Sequence, residues 1–329
     1  RLRIMLHEGD RVFAGREGEW LIVLLDVHSM AQPSLAAARI QQAFAEPMQL
    51  FSGRNILLNV SIGAALMPDH AEDPESLLQA ARLARWDLRN GLGFAWYEER
   101  LNQHWAQRRH LAEELHQALQ QETLSLYLQP QVDLKSGRCQ GAELLLRWQR
   151  KNGLWVEPPT LIEVIEENGW RSLFTDWLLR AALRIAVDLS AAGIEPRLSI
   201  NLTAADLADD DLPELLAQRL ETWQVPASVF TLELTESALM LDHAKGLAIM
   251  QRLGALGCRL ALDDFGTGYS SLSYLVSLPM NEIKIDQSFI EAMLNSTDSL
   301  RVVRTIVDLA RDLGMVPLAG LQTRKGAPL

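Results

Sequence analysis

From Leu124 onward, short apolar runs recur at a spacing that few architectures accommodate. The runs are Gln140–Trp148, Arg197–Leu202, Phe230–Leu234, Arg259–Leu262, Glu282–Ile285 and Met315–Ala319. Amphipathic stretches lie between them, at Leu173–Ala192, Leu212–Trp223, Ala244–Leu256 and Leu300–Leu313. A strand-length run followed by helical periodicity is a βα unit. Repetition of such units predicts a parallel sheet, and this many of them predict a (β/α) barrel of the TIM type.

The first hundred residues are organised differently. Trp20–Val27 and Asn55–Leu66 read as strands. Ser34–Ala45 and Pro74–Arg89 read as helices, the second with Asp73 as N-cap before Pro74. Glu98–Gln121 holds no Gly or Pro and reads as one continuous helix joining two domains. The expected division is 1–97 as a small α/β domain, 98–121 as a helical linker, and 122–329 as the barrel.

Composition narrows the classes of function. Of 329 residues, 48% are apolar and 22% charged, which is ample for a core. A net charge of −11 argues against DNA, RNA or anionic membrane as partners, since these need basic patches. It suits a site that collects divalent cations. Cys139 and Cys258 form neither a disulfide framework nor a zinc spacing, which points to a reducing cytoplasm. No apolar run approaches the roughly 20 residues of a membrane helix, and no signal peptide is recognisable. The chain opens on Arg1, not Met, and is expected to be a fragment. A sensor or inner-membrane anchor would belong to an upstream region.

Polar residues fall in phase with the runs. Glu143 lies in the first run, and Asn201 ends the second 58 residues later, room for about two units. Glu233 follows after 32 residues, Asp263 after 30 more and Lys284 after another 21. In a barrel the C-terminal strand ends share one rim, so these residues are expected to converge. The segment Leu260–Leu275 (LALDDFGTGYSSLSYL) adds Asp264 beside Asp263, then the turn Gly266-Thr267-Gly268. Each residue alone also has an ordinary reading. An acid pair ends a strand as a turn or helix cap, Asn201 caps the helix near Ala204, Glu143 pairs with Arg147, and Lys284 pairs with Asp286. Together, Glu143, Asn201, Glu233, Asp263 and Asp264 are hard oxygen donors suited to Mg²⁺ or Mn²⁺ rather than zinc. Four carboxylates on one rim repel without cations. Two divalent ions balance them, as in two-metal phosphoester hydrolysis.

Longer motifs carry a family likeness. Residues 111–323 resemble an EAL domain, the family that cleaves the bacterial second messenger cyclic di-GMP. The likeness rests on YLQPQVDL at 127–134, GAELLLRW at 141–148, PPTLIEVIEENG at 158–169, INLT at 200–203, LELTES at 232–237, DDFGTGYSSL at 263–272 and LPMNEIKIDQSF at 278–289. Residues 1–97 resemble the second half of a GGDEF domain, the family that makes the same messenger, through GDRVFAGREGEWLIVLL at 9–25 and VSIGAALMPDH at 60–70.

The resemblance implies roles residue by residue. Glu143, Asn201 and Glu233 match metal ligands, Asp263 the bridging carboxylate, and Asp264 the acid on the second ion. Lys284 matches the lysine near the attacking water; Lys284, Asp263 and Glu143 are the catalytic set. Leu145 and Arg147 match residues that hold the dinucleotide, Gln129 a ligand-facing glutamine, and Glu236 the Glu that steadies the loop after the acid pair. The implied reaction is in-line attack on one phosphodiester, opening the ring to linear pGpG. Related domains pair near the acid-pair loop, so the resemblance also implies a homodimer.

Three departures stand out. The family's late metal-binding Glu falls in Pro317-Leu318-Ala319-Gly320-Leu321-Gln322-Thr323, where no acid stands. The chain stops at Leu329, about a helix and a strand before family members do, so an incompletely closed barrel with raw sheet edges is expected. In the GGDEF-like part the signature is replaced by Arg16-Glu17-Gly18-Glu19-Trp20, and the inhibitory-site Arg is absent from His7-Glu8-Gly9-Asp10. Synthase activity is therefore not expected. A non-catalytic cyclic di-GMP receptor is the alternative to a phosphodiesterase.

Overall fold

The computed structural model describes residues 2, 5–7, 9–15, 18–45, 48–49, 55–88, 93–239, 243–266, 275 and 278–320. They fall into two compact units, residues 1–113 and 114–329.

Among the described residues the first unit is built from short strands and helices. Strands β1 (Arg11–Ala14) and β2 (Trp20–Val23) pair antiparallel. After helix α1 (Ala31–Phe44), strands β3 (Met48–Gln49) and β4 (Asn55–Ile56) pair antiparallel. β5 (Ser61–Ala64) runs parallel to β6 (Gly93–Trp96) around helix α2 (Pro74–Asp87). The continuous run expected at Asn55–Leu66 is thus two strands, β4 and β5, separated by residues 57–60. Asp73 caps α2 as expected, its carboxylate accepting from the backbone N–H groups of Glu75 and Ser76. Ala80, Leu83 and Ala84 of α2 pack with Tyr97 and Leu101 as the core of this unit. In the stretch Arg16–Trp20, Arg16 and Glu17 lie outside the described residues. Gly18 sits at φ +73°, and Glu19 pairs with the Arg82 guanidinium through two bonds of 2.9 and 2.7 Å. The continuous helix read at Glu98–Gln121 is observed as α3 (Arg100–Gln120), and the division between the units falls within it.

The second unit is an α/β sheet with helices in its crossovers. It begins with a hairpin that the run pattern did not predict. β7 (Ser125–Val132) pairs antiparallel with β8 (Cys139–Gln149), from Ser125↔Arg147 to Val132↔Cys139. The turn is set by Asp133, which accepts from the Ser136 backbone and hydroxyl, and by Gly137 at φ +68°. The sheet is therefore mixed. β9 (Trp155–Val156) pairs antiparallel with β8. Helices α4 (Pro158–Glu167) and α5 (Arg171–Ala191) both lie in the crossover to β10 (Leu198–Leu202), which neighbours β8 directly. The 58-residue interval is thus one crossover with two helices, not two units. The order continues through α6 (Leu212–Trp223), β11 (Phe230–Thr235), α7 (Glu236–Leu239), α8 (His243–Ala255), β12 (Arg259–Phe265), β13 (Glu282–Ile285), the helices Gln287–Ala292 and Thr297–Asp312, and β14 (Val316–Ala319).

Strand order is β14-β13-β12-β11-β10-β8-β7, and neighbours from β8 to β14 are parallel. Among the described residues no ladder joins β14 to β7. Register and the two-residue period divide the sheet into two unlike faces. One face carries Leu198, Ile200, Leu202, Phe230, Leu232, Leu234, Leu260, Leu262, Ile283 and Ile285, all buried. Burying each such side chain contributes about 1.5–3 kcal/mol, which holds this face closed. The opposite face carries Glu143, Ser199, Asn201, Thr231, Glu233, Thr235, Arg259, Asp263, Glu282 and Lys284. Parallel strands are commonly apolar on both faces; these strands alternate, so the second face is reserved for polar chemistry.

Candidate metal and phosphoester site

Register places the site residues on one face of the sheet, stepping two residues along from β8 to β10 and again from β11 to β12. Asn201 lies beside Glu233, Ser199 beside Glu143, and Thr235 beside Asp263. The acid pair occupies a β-bulge. Leu262 opposes Ile283 and Phe265 opposes Ile285, so Asp263 and Asp264 together oppose Lys284 alone. Asp264 takes φ +54°, a conformation short polar side chains tolerate, and its N–H donates to its neighbour's Asp263 Oδ1 at 2.9 Å.

Carboxylate oxygens of Glu143, Glu233 and Asp263 all lie within 4.8 Å of one another. The Lys284 ammonium sits among them. It donates to Glu143 Oε2 at 3.0 Å, to Glu233 Oε2 at 2.5 Å and to Asp263 Oδ2 at 3.0 Å. The pairings of Glu143 with Arg147 and of Lys284 with Asp286 are therefore not the ones formed. Arg147 instead donates to the Leu146 carbonyl at 2.8 Å, and Asp286 caps the helix Gln287–Ala292 by accepting from the Ser288 N–H. Asn201 Nδ2 donates to Glu143 Oε1 at 2.8 Å, which leaves its Oδ1 for a cation.

Electrostatics follow from three acids sharing one base. Glu233 is 1% exposed, and burial pushes its carboxyl up to about 7; Glu143 and Asp263 add to this, while Lys284 opposes it. Burial works against the Lys284 ammonium too, but Glu233, Asp263 and Glu143 outweigh it and hold its pKa above the ordinary lysine range. Asp264 is raised, first by burial and then by Asp263 and Asp286. Asp264 stands outside the three-carboxylate cluster but within its field.

One level below, the polar face closes on itself. Arg259 pairs with Glu282 at 2.9 Å, and Gln131 donates to Ser199 at 3.2 Å. Burial raises the Glu282 carboxyl against the pull of Arg259 and Arg197. Toward the rim, Gln129 stands opposite Glu143 on β7, and Leu145 and Arg147 follow on the face of Glu143. Glu236 opens α7 and is buried, with neither carboxylate oxygen hydrogen-bonded among the described residues. The loop it is expected to steady is described only through Gly266; residues 267–274 lie outside the described residues. On β14, Leu318 pairs with Lys284 and Ala319 with Ile285, followed by Gly320. A Cβ at Gly320 would stand 2.9 Å from the Ile285 carbonyl. Leu321, Gln322 and Thr323 lie outside the described residues.

The sequence reading missed the lower polar layer and Asp206. That carboxylate is buried and accepts from Thr203 N–H (2.8 Å), Thr203 Oγ1 (2.9 Å) and Thr175 Oγ1 (3.2 Å), and it pairs with Arg171 at 2.9 Å. It ties the segment just after Asn201 to α5. Counting back in twos along the strands from Asn201, Asp263 and Lys284 would have found Ser199, Arg259 and Glu282; nothing local marks Asp206.

Known proteins resemble this chain. The family model described as EAL domain matches residues 112–321. An uncharacterized signaling protein of Caulobacter vibrioides is 34% identical over 319 residues, covering 95% of this chain and 39% of that protein. The cyclic di-GMP phosphodiesterase NbdA of Pseudomonas aeruginosa is 33% identical over 329 residues, covering 98% of this chain and 42% of that protein. The chain thus spans about two fifths of the length of these curated relatives. The solved phosphodiesterase PaMucR in complex with c-di-GMP is 34% identical with a TM-score of 0.61, covering 65% of this chain and 87% of that one. Among the described residues, no helix is long and apolar enough to cross a membrane.

Proposed function

The chain belongs to the EAL domain family, and from that premise we propose that it hydrolyses cyclic di-GMP to linear pGpG. The observation that carries this reading is the convergence of Glu143, Glu233 and Asp263 around Lys284. The donor set fits a hard divalent cation. It is all oxygen, it includes a free amide oxygen on Asn201, and Glu233 Oε1 is buried without a hydrogen-bond partner among the described residues. Mg²⁺ or Mn²⁺ are the ions such donors favour, with Glu143, Asn201, Glu233, Asp263 and Asp264 as ligands. When bound, two such ions supply Lewis acidity to the attacking water and to the phosphoryl oxygens.

The chain's own residues do the rest. Arg147 presents planar donors to a phosphate oxygen, and Gln129 and Leu145 line the same wall. Lys284 holds its proton firmly, so it acts as a fixed positive charge beside the reacting phosphoryl group rather than as a base. Glu236 steadies the loop after the acid pair. The domain assignment 1–97, 98–121 and 122–329 belongs to this reading. So do a degenerate GGDEF origin for the first part and pairing of barrels as a homodimer. Incubation of the purified protein with cyclic di-GMP and Mn²⁺, with nucleotides separated by chromatography, is expected to yield pGpG.

A second reading has its own support. Leu318, Ala319 and Gly320 offer no carboxylate where the family's late Glu is expected, and the Ile285 carbonyl crowds the Gly320 position. A cyclic di-GMP receptor without turnover keeps the Glu143, Leu145 and Arg147 wall and dispenses with a full second ion site. Saturable binding with no pGpG would select it.

A further inference from the structure

We propose that Tyr127 and Trp155 form a stacking wall for one guanine base of the bound dinucleotide, an inference that rests on the cyclic di-GMP reading above. Tyr127 stands opposite Leu145 on the face that carries Glu143 and Arg147. It lies two residues along the strand from the Gln129–Glu143 pair, about 7 Å at a strand's rise. Base and phosphate of one nucleotide are separated by a single ribose, a span of that order. Trp155 on β9 stands opposite Gln149, which shares the two-residue phase of Glu143, Leu145 and Arg147. The Tyr127 and Trp155 rings meet edge to face, with centroids 6.1 Å apart at 81°.

Both rings remain open to a ligand, Tyr127 at 46% and Trp155 at 54% exposure. Large exposed aromatics side by side on the polar face of the sheet offer the π-faces that a purine stacks on. The hairpin that presents Trp155 is held in place. Arg150 N–H donates to the Leu154 carbonyl at 2.8 Å, and Gln149 Nε2 to the Gly153 carbonyl at 2.9 Å. The Arg150 guanidinium grips Glu114 through bonds of 2.7 and 3.2 Å. A fixed ring loses little freedom on binding, so stacking on it translates efficiently into affinity.

The test is calorimetric titration of cyclic di-GMP into the whole chain with Ca²⁺ in place of Mg²⁺ or Mn²⁺. Wild type is compared with Trp155→Ala, Tyr127→Ala, Trp155→Phe and Tyr127→Phe, and with Leu134→Ser, a 93% exposed position on the β7–β8 turn, as control. Stacking is worth about 1–3 kcal/mol per base, so each alanine variant is expected to weaken Kd by roughly 5- to 150-fold. The phenylalanine variants keep a π-face and recover most of the loss, and Leu134→Ser is unchanged. Thermal unfolding of each variant should match wild type, since both side chains are half exposed. If the alanine variants bind as wild type does, the wall is refuted while the cyclic di-GMP reading stands. If they lose affinity only together with a lowered melting temperature, and phenylalanine does not rescue, the rings are structural and the proposal falls. If wild type itself fails to bind cyclic di-GMP, both readings fall.

Discussion

Replacing Lys284 with Met tests the electrostatic account of the site most directly. At an effective dielectric of about 20, two unit charges 4.8 Å apart repel by about 3.5 kcal/mol. Three such carboxylate pairs sum to about 10 kcal/mol. The ammonium attracts Glu143 and Asp263 at 3.0 Å by about 5.5 kcal/mol each, and Glu233 by slightly more. Lys284 therefore more than cancels the mutual repulsion of the acids, while Met fills its volume and leaves the repulsion bare. Desolvation and proton uptake absorb most of the gross figure. Removal of one partner from a buried ionic cluster leaves a net cost of about 3–5 kcal/mol, or about 10 °C in melting temperature for a unit of this size.

The pH dependence has a definite sign. Glu233 is raised in the folded protein from 4.5 to about 7, so the folded state holds this proton more tightly than the unfolded chain does. Its contribution to stability is complete below pH 4.5 and is lost as pH climbs through 7. Without Lys284 the window moves higher, so the deficit of Lys284→Met is larger at pH 8.5 than at pH 5.5. Denaturant unfolding with a chelator at these two pH values measures it. Added Mn²⁺ should narrow the deficit at pH 8.5 by replacing the missing positive charge. A deficit under 1 kcal/mol at pH 8.5, or one that grows toward pH 5.5, would refute the reasoning.

Three further outcomes are expected. Asp263→Asn removes the charge of the bulge residue that faces both Glu233 and Lys284, and should abolish Mn²⁺-dependent pGpG formation; unchanged turnover in a chromatographic assay would remove Asp263 from the site. Glu236→Ala should leave the melting transition cooperative but raise the Mn²⁺ concentration needed for half-maximal activity, read from a metal titration. Asp206→Ala strips four contacts from Thr203, Thr175 and Arg171, and should cost about 2–4 kcal/mol by thermal unfolding because Arg171 loses its buried partner.

Much of the second unit was legible in one dimension because its signals are local. Apolar runs and helical periodicity placed β10 to β14 and α5, α6, α8 and Thr297–Asp312 to within about three residues, a scatter expected of frayed ends. The hairpin β7–β8 escaped this reading because the run Gln140–Trp148 looks the same whether its neighbour is parallel or antiparallel. The 58-residue interval was overread because an amphipathic helix pair and a βα unit occupy similar lengths of chain. In the first unit, Asn55–Leu66 reads as one strand, but its hydrogen-bond partners differ at the two ends, β3 and then β6.

The sequence by itself determined the inventory of the site. Hard oxygen donors and one lysine sit at strand ends, in phase with the fold. Only the tertiary structure decided their bonding. Glu143 and Lys284 each had a plausible partner nearby in sequence, Arg147 and Asp286, yet strand pairing set Glu143, Glu233 and Asp263 on one face and delivered Lys284 between them. The bulge at Asp263–Asp264 also belongs to the sheet, since it exists only as a mismatch with β13. Side-chain type is written residue by residue. Which charge meets which is decided by register between residues 21 to 141 positions apart, where the cost of burying an unpaired charge selects the arrangement.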